Sequence, residues 1–156
     1  MQPISVRPTL LEDLPLLAAI WHEKMTILAS TDRRFMPSAQ MSEQWQQDAQ
    51  QWLHDSSCCL LTACTSERAI GFALGTIMPK LAGFSAEQSG IVTQMAIDAH
   101  GYYGGAGRLL IDALRDWFGE KQVGRILVLS SHRYPAEQAF WRALGAVDWM
   151  DMLWLK

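Results

Sequence analysis

Met95-Ala96-Ile97-Asp98-Ala99-His100-Gly101-Tyr102-Tyr103-Gly104-Gly105-Ala106-Gly107-Arg108-Leu109-Leu110 carries the chain from an apolar run, through four glycines, into an amphipathic segment. Ile91 to Ile97 reads as a strand, and Leu109, Leu110, Ala113, Leu114, Trp117 and Phe118 recur at helical spacing. Glycines without Cβ atoms let the backbone curl so that several N–H groups converge on one point. The helix start adds donors without intrahelical partners and the positive end of the helix dipole. A phosphate or pyrophosphate suits such a place, and Arg108 brings a cation to it.

Two familiar glycine motifs do not fit. A P-loop ends in Gly-Lys-Ser/Thr, whereas Gly107 is followed by Arg108 and Leu109. The dinucleotide fingerprint needs a third glycine where Leu110 stands and an acid after the next strand, which instead ends Leu129-Ser130-Ser131-His132.

On the C-terminal side, Arg125 to Leu129 is a compact strand apolar enough to be central. Pro135 to Leu144 is a short helix with Pro135 in its first turn and Gly145 as C-cap, and Val147 to Leu155 reads as a closing strand. On the N-terminal side, Cys58 to Cys64 and Ile70 to Met78 flank the turn Ser66-Glu67-Arg68 as a hairpin, and a polar loop runs from Pro79 to Gly90. Two amphipathic helices precede it. Leu14, Leu17, Ala18, Trp21, Met25 and Leu28 mark the first, with Asp13 as N-cap and Pro15 in the first turn. Met41, Trp45, Ala49 and Trp52 mark the second, which begins near Ala39. Ile4 to Arg7 is a short first strand. The resulting order predicts an α+β (mixed α/β) domain over residues 1–156, not an alternating doubly wound one.

Composition narrows the function. The 156 residues are 49% hydrophobic and 19% charged, which suits one globular domain with a real core. A net charge of −3 gives no global attraction to nucleic acid or anionic membranes. Cys58, Cys59 and Cys64 show no CxxC spacing, and the four histidines are scattered, so neither a disulfide framework nor a metal site is expected. The N-terminus lacks a basic then apolar signal pattern, and no apolar stretch reaches bilayer length; a cytoplasmic location is the expectation.

The run from Met95 through Gly107 and Leu110 resembles the acetyl-CoA signature of the GNAT family of N-acetyltransferases. Ile4-Ser5-Val6-Arg7-Pro8 with Glu12-Asp13-Leu14 resembles that family's usual opening, and Ala139-Phe140-Trp141-Arg142-Ala143-Leu144-Gly145-Ala146 its Phe-Tyr-x-x-x-Gly-Phe segment. The resemblance covers essentially the whole chain. It implies a central, mostly antiparallel sheet, splayed and flanked by helices, and acetyl-CoA as co-substrate without a metal. The pantetheine arm would lie beside Met95 and Ile97, bonded to their main chain, with the Met95 N–H as oxyanion donor. Tyr102, Tyr103, Gly104, Gly105, Ala106, Gly107 and Arg108 would hold the pyrophosphate.

Two positions depart from the family pattern. Tyr102 stands where Arg or Gln opens the signature, and Trp141 stands where many members carry a tyrosine that protonates the leaving thiolate. Indole donates a hydrogen bond but is no proton source near neutral pH. A CoA-like thiol of pKa about 8.5 leaves with a deficit of about 2 kcal/mol at pH 7, whereas freeing a lysine-like amine of about 10.4 costs about 4.6 kcal/mol. Deprotonating the acceptor is the larger task. Glu87 is the candidate base and Tyr134 the candidate acid, with His132 and Glu23 behind them. Trp21, Trp45 and Trp52 read as core or as an aromatic acceptor pocket. The acceptor, a small amine or a peptide, stays open, as does a non-catalytic acyl-CoA sensor or a nucleotide-binding role. Large apolar groups on both faces of the closing strand suggest burial in a homodimer.

Overall fold

A computed structural model describes residues 3–80, 88–101 and 103–155. Five strands form one sheet in the order β1 (Ser5–Pro8), β2 (Cys58–Cys64), β3 (Ala69–Met78), β4 (Ser89–Ile97) and β5 (Arg125–Val128). Neighbours are antiparallel except β4 and β5, which run parallel. That one parallel pair follows from the α3 (Ala106–Glu120) crossover, since a hairpin cannot join parallel strands. The remaining helices are α1 (Leu14–Ala29), α2 (Met41–Trp52) and α4 (Pro135–Ala143). The mixed, mostly antiparallel sheet flanked by helices is the expected fold.

The sheet is covered on both sides, so β3 is buried from Ala69 to Gly75 where a one-sided strand would alternate. Leu60, Phe72, Leu74 and Ala96 face α1 and α2, packing with Leu14, Leu17, Trp45 and Ala49. Leu61, Ala63, Ala73 and Val92 face α3, packing with Leu110, Leu114 and Phe118, and Trp141 of α4 joins this second core. Bulges adjust which face each strand presents. One opposite Ala63/Cys64 turns Ile70 into the α3 core, and one at Thr93 lets Val92, Met95 and Ile97 share that face despite their odd spacing.

Trp45 is core: it meets Phe72 edge-to-face at 5.0 Å and donates from Nε1 to Gln94 Oε1 at 2.7 Å. Trp21, half-buried, meets Phe72 at 5.9 Å. Asp13 precedes α1 as expected, with Pro15 in the first turn, but its carboxylate caps no helix N–H. It receives both Arg7 guanidinium nitrogens, at 2.6 and 2.9 Å, and the Leu10 N–H at 2.8 Å. Burial of Asp13 works against ionisation, and these donors outweigh it, holding the carboxyl below its ordinary value. All three cysteines are free. Burial pushes their thiols up, and with Cys58 and Glu120 nearby the Cys59 thiol reaches about 11.

The closing strand expected over Val147 to Leu155 does not form; that stretch is irregular and largely exposed. Apolar alternation sets which way side chains would face, but a strand also needs an edge to bond with, and β5 offers only four residues. Side chains hold the segment instead: Asp148 accepts from Arg142 at 3.2 Å, and Trp149 lies against the Arg125 guanidinium at 5.5 Å.

Candidate functional site

The parallel pairing of β4 with β5 ends early. Ser89 to Val92 pair with Arg125 to Val128; past Val92, β4 continues to Ile97 with β3 as its partner. On that stretch the Asp98 N–H donates to the Ile70 carbonyl at 2.8 Å. The two-residue alternation of an antiparallel ladder then turns the N–H and C=O groups of Met95 and Ile97 away from β3, toward the side β5 has left. The sheet is therefore split, with main-chain donors and acceptors along one wall.

The glycine turn ends at this split. Gly105 is the N-cap of α3 with φ +89°, a left-handed conformation that glycine adopts without steric cost. Gly107 packs so closely that a Cβ there would sit 3.0 Å from the Phe140 ring of α4 and 4.0 Å from Met95 Cε, which fixes the helix start against the split. The Ala106 N–H donates to the Tyr103 carbonyl and the Leu109 N–H to that of Gly105. Among the described residues, no main-chain acceptor takes the N–H groups of Gly104, Gly105, Gly107 or Arg108. Several donors at a helix N-terminus make an anion cradle. Arg108 is exposed beside it.

Tyr103 is half-buried, and its hydroxyl is engaged, accepting from Arg68 at 3.1 Å. The same guanidinium pairs with Asp98, which also takes the His100 N–H at 2.9 Å. Burial raises the Asp98 pKa, but the His100 N–H and Arg68 outweigh it, so the carboxyl is held below its ordinary value and stays ionised at neutral pH. Such a carboxylate fastens the glycine turn to the β2–β3 connection at Arg68 and is a poor base. His100 Nε2 lies 2.9 Å from Glu23 Oε1, and ligand atoms of Glu23, Asp98 and His100 fall within 4.8 Å of one another.

At the acetyl end expected beside Met95 stand two residues that sequence reasoning passed over. Lys24 Nζ donates to the Met95 carbonyl at 2.7 Å and to Glu137 Oε1 at 2.7 Å. Both side chains are mostly buried, at 18% and 11% exposure, and the ammonium also lies 5.6 Å from the Trp21 ring centre. Lys24 extends the stripe of Leu17, Ile20 and Leu28, so a lysine on a buried helix face was the available signal. Glu137 offered none: an acid in the first turn of a helix is ordinary.

The other expected site residues are dispersed. Glu87 and Tyr102 lie outside the described residues. Tyr134 is the half-buried N-cap of α4, one turn before Glu137. Trp141 is 5% exposed within the α3 core, its Nε1 without a hydrogen-bond partner among the described residues. His132 is exposed and lies 3.4 Å from Asp151.

A family model described as the acetyltransferase (GNAT) family matches residues 23–146, which include the split, the glycine turn and α4. The chain belongs to that family. Solved structures share the GNAT fold at low identity. A transcriptional regulator from Bacillus halodurans C-125 aligns with TM-score 0.82 and 16% identity, covering 99% of each chain. The aminoglycoside N-acetyltransferase AAC(6')-Iy, in complex with CoA, aligns with TM-score 0.78 and 15% identity over 100% of this chain and 95% of that one. A predicted acetyltransferase with acetyl-CoA from Clostridium acetobutylicum gives 0.73 and 16% over 99% and 96%. Among curated proteins, none matches the sequence. No helix of the described residues is long and apolar enough to cross a membrane.

Proposed function

We propose that this protein transfers an acetyl group from acetyl-CoA to a primary amine by direct attack in a ternary complex. The observation that carries this is the split at Met95 meeting a helix start where, among the described residues, the N–H groups of Gly104, Gly105, Gly107 and Arg108 have no main-chain acceptor. The local chemistry fits the group. Thr93 Oγ1, just past the last β5 pair, and Ser130 Oγ, two residues beyond β5, are buried without partners among the described residues, and a polar arm in the split would offer them bonds. Relatives of this fold with CoA and acetyl-CoA support the same reading.

Acetyl-CoA, when bound, supplies an activated acyl carbon and a thiolate leaving group. Gly104 to Arg108 hold the pyrophosphate, with Tyr102 and Tyr103 beside them. Met95 and Ile97 fix the arm through main-chain bonds, and the Met95 N–H faces the charge that develops on the carbonyl oxygen. For the proton acceptor we place Glu137 ahead of Glu87, because its Oε1 is 2.7 Å from an amine nitrogen already seated on the Met95 carbonyl. Tyr134 is the proton donor in this reading, since Trp141 is buried in the core. The protein works in the cytoplasm, on a small-molecule or peptide amine. Its exposed apolar residues 147–155 contact a second copy; light scattering that returns a single-chain mass at micromolar concentration removes the homodimer from the proposal.

The burial of Trp141, together with a relative of this fold named a transcriptional regulator, favours one second reading, an acyl-CoA sensor that does not turn over. Two measurements separate them. CoA raises the melting temperature, and ATP and NAD raise it less; equal or larger shifts with ATP or NAD return the site to a general nucleotide pocket. Acetyl-CoA then releases free thiol with some member of an amine panel that includes aminoglycosides and peptide N-termini. A CoA shift without thiol release from any amine selects the sensor.

A further inference from the structure

The helix α1 lies on one face of the sheet, with the core of Phe72 and Trp45, and α4 lies on the other, with the core of Phe118 and Leu110. Lys24 on α1 and Glu137 on α4 nevertheless meet at 2.7 Å, and Lys24 Nζ also rests on the Met95 carbonyl. The ion pair therefore crosses the sheet through the gap between β4 and β5. A residue's N–H and C=O point to the same side of a strand. The nitrogen of Lys24 thus stands beside the main-chain group assigned above to the acetyl carbonyl.

We propose that Lys24 is itself an acceptor: the protein acetylates Lys24 Nζ from bound acetyl-CoA, with Glu137 as proton acceptor. This inference rests on the acetyl-CoA reading of the split. The ammonium first gives one proton to the Glu137 carboxylate. The nitrogen lone pair then forms a bond to the acetyl carbon, and the carbon–sulfur bond breaks with its electron pair on sulfur. The second nitrogen proton passes to the thiolate, so the products are the amide and CoA thiol, and Glu137 returns its proton to solvent. Neutral acetyl-lysine no longer pairs with Glu137, which leaves that carboxylate to an incoming ammonium.

Purified protein is incubated with acetyl-CoA, digested and mapped by mass spectrometry, while a thermal shift with CoA is recorded on the same sample. The expected result is one acetyl group on Lys24, at least tenfold above Lys80 and Lys121. The label is lost in Lys24→Arg and is slowed at least tenfold in Glu137→Gln. The Glu137→Gln sample must retain its CoA shift, which separates a chemical role from a folding defect. A normal CoA shift with Lys24 labelled no faster than Lys80 or Lys121 overturns self-acetylation and leaves the cofactor assignment standing. Absence of any CoA shift overturns the cofactor assignment, and this proposal with it.

Discussion

Gly105→Val abolishes the stabilisation that CoA gives the protein. At a hundredfold excess over its Kd, a ligand that binds only the folded state contributes about 2.7 kcal/mol. For a domain of this size that is roughly a 5–10 °C rise in melting temperature. Gly105 holds φ +89°, and a Cβ added there would meet no atom of the described residues within 4 Å. The substitution therefore costs strain, about 1–2 kcal/mol for a residue forced left-handed, and places its methyl groups over the N–H groups of the cradle. A domain with typical stability survives that cost, so folded variant remains available for the measurement. Gly119→Ala is the control. Gly119 is helical, has open space around it, and lies at the far end of α3. Alanine there stabilises by about 1 kcal/mol and keeps the CoA shift. If Gly105→Val keeps the shift as well, the pyrophosphate does not sit on this turn.

Phe118→Ala lowers stability by about 3–5 kcal/mol, the range for a fully buried aromatic. Phe118 is 0% exposed and is the fitting by which α3 seats on the sheet. Two glycines make its socket. A Cβ on Gly75 would lie 3.0 Å from the ring, and a Cβ on Gly90 would be driven into it. Gly90→Ala therefore overpacks the same place and costs about 1–3 kcal/mol. Because both changes act on one volume, Phe118→Leu combined with Gly90→Ala is less damaging than the two single effects added. Chemical denaturation of the four proteins reads the coupling, and strict additivity would refute the socket. The melting temperature of Phe118→Ala falls by roughly 6–20 °C.

The socket also shows where the sequence was readable and where it was not. Phe118 belongs to the apolar stripe that declares α3, and Cys58 to Cys64 emerges as β2 with both ends as expected. Gly90 looked like the end of a polar loop, whereas it pairs with Ile126 inside β4, because the constraint on it comes from a ring 28 positions away (118 − 90). The glycine turn was legible because its information is local: a strand, several residues without Cβ, then a helix. The proposed acetyl end was not. Lys24 and Glu137 are 113 positions apart and approach through a gap between strands, so no spacing rule relates them. The burial of Trp141 in the α3 core is likewise a tertiary fact that its place in the sequence does not announce. Residues 147–155 failed in the opposite direction. Their alternating pattern is strand-like, and the missing ingredient is a neighbouring backbone.

The cysteines have a practical consequence. A thiol reacts as its thiolate, and Cys59, with its pKa near 11, presents almost none at neutral pH; Cys58 and Cys64 are displaced the same way. A chromogenic disulfide added to the native protein should therefore report mainly the sulfhydryl that leaves the acyl donor. Each turnover of the proposed reaction then becomes a colour change, read above the background that a sample without acyl donor sets.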